Sequence, residues 1–250
     1  DRNGVRLYYE VHGDGPAVLL THGFSSTSAM WQGQAKDLGR RCMIVSWDMR
    51  GHGQSDSPDD PALYSEAETV ADMAAILDAV GASRAVIGGL SLGGYMSLAF
   101  NLVFPHRVKA LMIFDSGPGY KKDEPREAWN RYAEKFARGL EDRGLEGLAD
   151  GSPERVPGHH RSAKGLILAA RGMLTQQDAR VINSLPGITV PTLILVGEKD
   201  EPFLVPSDYM AAKIPGSTKV IIPQAGHAAN IDQPQAFNKA VEDFLNSLPW

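Results

Sequence analysis

Ser91 is the residue of this sequence best placed to act as a nucleophile. It lies in Gly89-Leu90-Ser91-Leu92-Gly93, which has the spacing G-x-S-x-G, between the apolar run 85–88 and a segment of helical periodicity, 92–104. A serine at such a strand-to-helix turn is held in a strained conformation, and the glycines let neighbouring backbones pass close to it. The start of a helix also favours developing negative charge. The pattern therefore predicts a nucleophilic serine raised above the edge of a sheet.

A serine hydroxyl is a weak nucleophile at neutral pH, so this prediction requires a general base. His227 is the best candidate among the seven histidines. It lies in the small-residue loop 225–229, before the predicted C-terminal helix 234–245, where its side chain can turn over the sheet edge. His159 and His160 lack such a context, and we interpret both as surface residues.

Asp200 is the leading candidate for the carboxylate that orients His227. It follows the apolar run 192–196, which gives the chain order Ser, Asp, His. That order is typical of the catalytic triad in α/β folds whose serine lies on a G-x-S-x-G turn. Asp115 is the main alternative, because it follows the preceding apolar run 108–114 and a carboxylate there could also reach the histidine.

The negative charge that develops on an attacked carbonyl oxygen requires two hydrogen-bond donors, which we expect to be backbone amides. One is the N–H of Leu92, the residue after the serine. The other is the N–H of Phe24, in the loop 21–26, where Gly23 lets the chain pass close to a substrate. We interpret His22 in the same loop as a structural residue.

The order of the apolar runs predicts the elements that position these residues. Most of the runs are continuous rather than alternating, which is typical of strands buried on both faces of a parallel sheet. Helix-period segments lie between them, so we expect an α/β fold in which helices flank a mostly parallel sheet. The runs cover 5–11, 17–21, 43–47, 85–88, 108–114, 192–196 and 218–222.

One long segment interrupts the alternation. No convincing strand occurs between 119 and 186, so we predict a helical cap there and a core domain made of 1–118 and 187–250. Trp129, Met173 and Phe203 are expected to contribute, with Phe24, to the wall of a substrate pocket. The predicted cap helices cover 124–140, 162–174 and 176–185.

Several further segments make the chain resemble the α/β-hydrolase superfamily, and in particular its small bacterial members of the esterase and lactonase type. The resemblance implies a twisted sheet with a helical cap inserted after the sixth strand. It also implies structural roles for Asp48, Arg50 and His52. A serine nucleophile disfavours the haloalkane dehalogenase and epoxide hydrolase branches, which use a carboxylate. Besides 89–93, the segments are His22-Gly23-Phe24, Trp47-Asp48-Met49-Arg50-Gly51-His52-Gly53-Gln54-Ser55, 197–200 and Gly226-His227.

These residues favour hydrolysis of a small carboxylic ester or lactone through an acyl-enzyme intermediate. Cofactor-free carbon–carbon bond hydrolysis and perhydrolysis are alternatives on the same fold. The first of these would need a cationic group in the pocket to hold a carboxylate, and the sequence does not identify one. A ligand-binding receptor with little turnover is a third possibility. We expect no cofactor and no metal.

Composition and charge limit the kinds of binding partner that we expect. The formal net charge is -5 with charges of both signs mixed, so we expect neither nucleic acid nor a membrane as a partner. Cys42, the only cysteine, precedes an apolar run and is predicted to be a small core residue. No apolar run approaches the roughly 20 residues of a membrane span, and residues 1–4 do not resemble a signal sequence. We therefore expect a cytoplasmic location, while the oligomeric state stays open.

Overall fold

A seven-stranded sheet forms the centre of the computed structural model, which describes residues 1–149 and 151–250. The strands are β1 (Tyr9–His12), β2 (Ala17–Thr21), β3 (Met43–Trp47), β4 (Ala85–Leu90), β5 (Val108–Phe114), β6 (Thr192–Gly197) and β7 (Thr218–Ile222). Their spatial order is β1-β3-β2-β4-β5-β6-β7, and each neighbouring pair is parallel except β1 with β3. The predicted α/β fold with a mostly parallel sheet is confirmed.

Helices connect the strands and cover the sheet. The segment 92–104, predicted to be helical, forms the helix Leu92–Val103 that follows Ser91. No helix in the described part of the chain has the length and apolar character that a membrane crossing requires. The α-helices of the described residues are α1 (Gln32–Leu38), α2 (Glu66–Ala79), α3 (Leu92–Val103), α4 (Asp123–Arg143), α5 (Ala163–Ala169), α6 (Arg180–Ser184), α7 (Glu201–Lys213), α8 (Ala229–Asp232) and α9 (Pro234–Ser247).

The apolar runs are continuous because both faces of the sheet are covered. Every residue of β2, β4 and β6 is buried. Alternate residues enter two separate cores, as Leu19 packs with helices α2 and α3 whereas Val18 packs with α1 and α9. Cys42 is buried in the second of these cores, as predicted. Burial on both faces fixes the register of the strands and therefore the positions at which they end.

The strand count before the helical insertion differs from the expectation. The insertion follows β5 rather than a sixth strand, although the fold itself is the expected one. The seven apolar runs give seven strands, and the described residues before β1 form only an isolated bridge between Arg2 and Val5 rather than the further strand that the resemblance implied. β1 lies at the sheet edge and pairs antiparallel with β3.

The described residues of the cap segment (residues 119–186) contain helices and turns but no strand. The first two predicted helices are present, as α4 and as α5 continued by a π-helix at Ala170–Leu174. The third begins later than predicted because the Asn130 side chain bonds both the N–H and the carbonyl of Gln176, which holds this stretch outside a helix. The boundaries proposed for the two domains stay a prediction.

Candidate active site

Ser91 occupies a sharp turn between β4 and α3. Its backbone angles are φ 56° and ψ -116°, in the left-handed region that side chains rarely adopt. The turn fits only because its neighbours are glycines. A Cβ atom at position 89 would lie 2.5 Å from the backbone of Gly93, and one at position 93 would lie 2.2 Å from the carbonyl oxygen of Thr21. The geometry is that of a strained strand-to-helix turn which presents a serine hydroxyl at the sheet edge.

Asp200 and His227 meet although they lie far apart in the sequence. His227 Nδ1 is 2.9 Å from Asp200 Oδ2, and the Asp200 side chain is almost fully buried. Backbone bonds hold the two loops together, because the N–H of Lys199 donates to the carbonyl of Ala225 at 2.8 Å. Gly197 permits this approach, since a Cβ there would lie 2.2 Å from the Gly226 carbonyl oxygen. Nδ1 donates to the carboxylate, so Nε2 is left free to accept a proton.

An aromatic ring stacks on one face of the His227 imidazole. Phe203, in the first turn of α7, stacks on the imidazole with ring centroids 5.0 Å apart and planes inclined by 28°. His227 and Ser91 line the same cavity. No hydrogen bond joins the two side chains within the described residues, and in free enzymes such contacts are commonly long and shorten when substrate binds.

Asp115, the alternative acid, bonds the backbone at the end of β6 rather than the side chain of His227. It is fully buried, and its Oδ1 accepts a hydrogen bond from the N–H of Gly197 at 2.7 Å. Burial raises the pKa of the Asp115 carboxyl well above its ordinary value, and the neighbouring Asp200 carboxylate raises it further. The geometry therefore makes Asp115 a support for the end of β6 and leaves Asp200 as the partner of His227.

The loop after β2 lies directly beside Ser91. A Cβ built on Gly23 would be 3.4 Å from Ser91 Cβ, which places this loop in direct proximity to the serine. Phe24 and Leu92 both line the cavity that contains Ser91. His22 ties the loop down, because its Nε2 accepts from the Met49 N–H at 3.0 Å and its Nδ1 donates to the Gly23 carbonyl at 2.7 Å. These bonds are those of a structural histidine.

His160 is not a surface residue, contrary to the sequence prediction, whereas His159 is exposed. Its side chain crosses from the cap segment to the loop after β2, where Nε2 donates to the Ser25 carbonyl at 3.0 Å. Its Nδ1 accepts from the Gly53 N–H at 3.2 Å. Sequence periodicity could not reveal this position, because the residue lies in an irregular stretch and its partners are 107 and 135 positions away.

Three buried histidines lie side by side under the cap segment. His52 packs between His22 and His160, with ring centroids 5.0 and 6.0 Å away. Burial lowers the pKa of His22, lowers that of His52 well below its ordinary value, and lowers that of His160 to about 4. All three rings are therefore neutral near pH 7, and protonation of any of them would place a charge where burial removes its hydration.

The other polar residues of this loop region also have structural contacts. Asp48 accepts hydrogen bonds from the N–H groups of Ser28 and Gln54 at 2.7 and 2.8 Å. Arg50 is buried and forms a double hydrogen bond with the buried carboxylate of Asp72, at 2.5 and 2.8 Å. These contacts fit the structural roles that the resemblance implied for Asp48 and Arg50.

A cavity of about 760 Å³ lies between the sheet edge and the cap segment. Of the predicted wall residues, Trp129, Phe203 and Phe24 line it. Met173 does not, because it belongs to the π-helix and is buried in the core, while the next residue, Leu174, faces the cavity. The sequence analysis missed further wall residues, among them Tyr95, Tyr132, Phe136, Arg155 and Gln176.

Comparison with known proteins assigns the class. The model of the Alpha/beta hydrolase family matches residues 18–240, which is most of the chain. The chain therefore belongs to the α/β-hydrolase family, and the strand-to-helix turn at Ser91 and the order of the strands agree with this.

Three similar proteins illustrate the activities found among the relatives of this chain. A Bacillus subtilis (strain 168) protein provisionally named 2-succinyl-6-hydroxy-2,4-cyclohexadiene-1-carboxylate synthase is 30% identical, over 98% of this chain and 97% of its own length. 3-Oxoadipate enol-lactonase 1 of Acinetobacter baylyi (strain ATCC 33305 / BD413 / ADP1) is 27% identical, over 99% and 96%. The solved structure of a thermophilic esterase from Thermogutta terrifontis, with malate bound, is 29% identical and has a TM-score of 0.82, over 98% and 95%. The family and its esterase and lactonase members support a hydrolase.

We predict that the His160 contact makes the fold sensitive to acid. Because the pKa of His160 is about 4 in the folded chain and 6.5 in its ordinary state, the unfolded chain binds more protons between these values. Stability is therefore complete above pH 6.5 and falls as the pH drops towards 4, with His160 contributing about 2 to 3 kcal/mol of the loss. Urea unfolding at pH 7.0, 5.5 and 4.5 measures it.

The matched variant is His160→Gln, which keeps a donor for Ser25 but cannot take up a proton. Asp115, His22 and His52 are present in both proteins, so the difference between their pH slopes isolates His160. We expect the smaller slope in the variant. Equal slopes would show that His160 does not titrate as described.

We further predict that Asp200→Asn and Asp115→Asn differ strongly in their effect on turnover. An amide at position 200 favours the wrong histidine tautomer, with a loss of about 10⁴ in kcat by the serine protease precedent. An amide at position 115 can still accept from the Gly197 N–H, and we expect a loss below about tenfold, since a neutral acceptor is conserved. The kcat of both variants on one p-nitrophenyl ester, after circular dichroism shows them folded, decides the matter. A greater loss for Asp115→Asn would show that Asp115, after β5, is the catalytic acid and that the assignment of Asp200 is wrong.

Proposed function

We propose that this protein hydrolyses small carboxylic esters or lactones through an acyl-Ser91 intermediate. One observation carries the proposal: a serine on a strained turn and a histidine bonded at 2.9 Å to a buried aspartate face the same cavity. That combination supplies a nucleophile, a general base and an orienting acid. The esterase and the enol-lactonase among the relatives support the substrate class.

In the proposed acylation, Ser91 Oγ attacks the carbonyl carbon and its proton passes to His227 Nε2. The carbonyl oxygen becomes negative and accepts hydrogen bonds from the backbone N–H groups of Phe24 and Leu92. Asp200 stabilises the imidazolium that forms. When the tetrahedral intermediate collapses, the alkoxide leaves with the proton from Nε2 and the acyl group remains on Ser91.

Deacylation repeats these steps with water. A water molecule gives a proton to His227 Nε2 and attacks the acyl carbonyl, and Ser91 then leaves with that proton as the free hydroxyl. For a lactone the released alkoxide stays attached to the acyl chain, so ring opening gives a single hydroxy acid. Every proton is supplied or received by His227, and the proposed steps use no metal or cofactor.

We expect Ser91→Ala to lower kcat for p-nitrophenyl esters by about 10⁶, because the nucleophile is removed from a unit whose members act together. The side chain contributes little packing, so the variant should keep the wild-type unfolding midpoint. Steady-state turnover and urea unfolding are the measurements. EDTA should leave the wild-type rate unchanged.

The matched control is Ser184→Ala. Within the described part of the chain this hydroxyl bonds only the Val181 carbonyl of its own helix, and it does not line the cavity. It should retain wild-type turnover. A folded Ser91→Ala protein that keeps more than a tenth of the activity would refute the role of Ser91, and strong inhibition by EDTA would refute the metal-free steps.

A further inference from the structure

Arg155 gives the cavity a positive charge that the proposed chemistry does not use. It is the only lysine or arginine among the residues that line the cavity within the described chain. The wall around it is largely aromatic, with Phe24, Trp129, Tyr132 and Phe136. A single cation in an apolar pocket fixes the orientation of a ligand more strongly than the apolar wall does.

The guanidinium of Arg155 makes no hydrogen bond to the described residues. Its Nε is buried without a hydrogen-bond partner, and the nearest carboxylate oxygen, on Glu154, is 3.6 Å from it. That separation permits attraction but not a hydrogen bond, and it leaves the two Nη groups available. The Arg155 side chain is 22% exposed, and Nε is its only donor that is both buried and unpaired among the described residues.

Two other arginines of the cap segment form hydrogen bonds to carboxylates. Arg171 bonds the carboxylates of both Glu134 and Glu141, and Arg126 bonds Asp123 and the Tyr120 carbonyl. The side chain of Glu154 is buried and its carboxylate lies 3.6 Å from Nε, so it offsets the charge of Arg155 without satisfying its hydrogen-bond donors. Arg155 therefore presents to the cavity donors that an acceptor on a ligand can still bond.

A continuous aromatic wall connects Arg155 with the reacting serine. Its guanidinium lies 5.4 Å from the Phe136 ring centre, in a cation–π contact. Phe136 meets Phe24 edge to face with centroids 5.1 Å apart, and Phe24 follows Gly23, which touches Ser91. An acyl chain that runs along this wall from Ser91 would bring its far end to Arg155.

We propose that Arg155 binds a carboxylate at the far end of the substrate, so that the preferred substrate is an ester or lactone of a dicarboxylic acid. The planar guanidinium pairs with a carboxylate through two parallel hydrogen bonds. Because the Glu154 carboxylate already lies 3.6 Å from Nε, a singly charged carboxylate is favoured over a phosphate, which would bring nearly two negative charges. This inference rests on the proposed function, because it takes Ser91 as the reacting end.

The test compares two esters with six-carbon acyl chains, mono-p-nitrophenyl adipate and p-nitrophenyl hexanoate. The measured quantity is the ratio of kcat/KM for the charged ester to that for the neutral one. We expect Arg155→Met to lower this ratio by a factor of about 10 to 100, mainly through KM for the charged ester, because a charge-assisted hydrogen bond is lost. Arg155→Lys, which keeps the charge but not the fork, should give an intermediate ratio.

The control is Arg131→Met, the same substitution on an exposed arginine of α4. Its one ion pair among the described residues, with Glu127 at 3.9 Å, lies outside the cavity. It should keep the wild-type ratio. An unchanged ratio in Arg155→Met, or a wild-type enzyme that favours the hexanoate, would overturn the inference and leave the role of Ser91 intact.

A binding measurement separates this inference from the proposed function. Calorimetric titration of the Ser91→Ala protein with monomethyl adipate should give a dissociation constant that rises by about tenfold or more when Arg155→Met is added. This result would stand even if the esters were not turned over, in which case only the proposed function would fail. Equal dissociation constants would contradict a carboxylate site at Arg155.

Discussion

The conformation of Ser91 is the constraint on which the rest of the structure depends. A non-glycine residue at φ 56° and ψ -116° costs on the order of 1 to 3 kcal/mol and persists only where its surroundings leave no alternative. Here the Ser91 N–H donates to the Phe114 carbonyl at 2.9 Å, and Ser116 Oγ donates to the Ser91 carbonyl at 2.6 Å. The end of β5 thus holds both polar groups of the strained peptide, while glycines clear the space for the crossing chains.

Parallel strands explain how distant residues converge on this serine. The carboxyl ends of β2, β4, β5, β6 and β7 lie along one edge of the sheet, and each is followed by a residue of the site. In open α/β sheets ligands bind at this edge. Backbone hydrogen bonds between the loops after β6 and β7 then restrict the positions of these loops. As a result, Asp200 Oδ2 and His227 Nδ1 lie 2.9 Å apart.

Local signals made the core and the sheet edge predictable from the sequence. The run 85–88, the glycines at 89 and 93, and the periodicity of 92–104 describe one strand, one turn and one helix, and all three are present. The cap segment was less predictable, because its side chains are set by long-range contacts. The sequence predicts His160 on the surface and Met173 in the cavity wall. In the structure His160 is buried against the loop after β2, Met173 belongs to the core, and Arg155 lines the cavity. Helical spacing in α4 did contain the signal for Tyr132 and Phe136, which follow Trp129 by three and seven positions.

The central claim is that Ser91 is the activated nucleophile, and covalent labelling tests it most directly. The intact protein is treated with a fluorophosphonate, and its adduct is located by peptide mass spectrometry while residual esterase activity is followed in parallel. We expect one phosphonyl group per chain, on Ser91, with activity falling in proportion to its occupancy. Labelling of another residue in proportion to the lost activity, or full activity in a protein completely modified at Ser91, would contradict the claim.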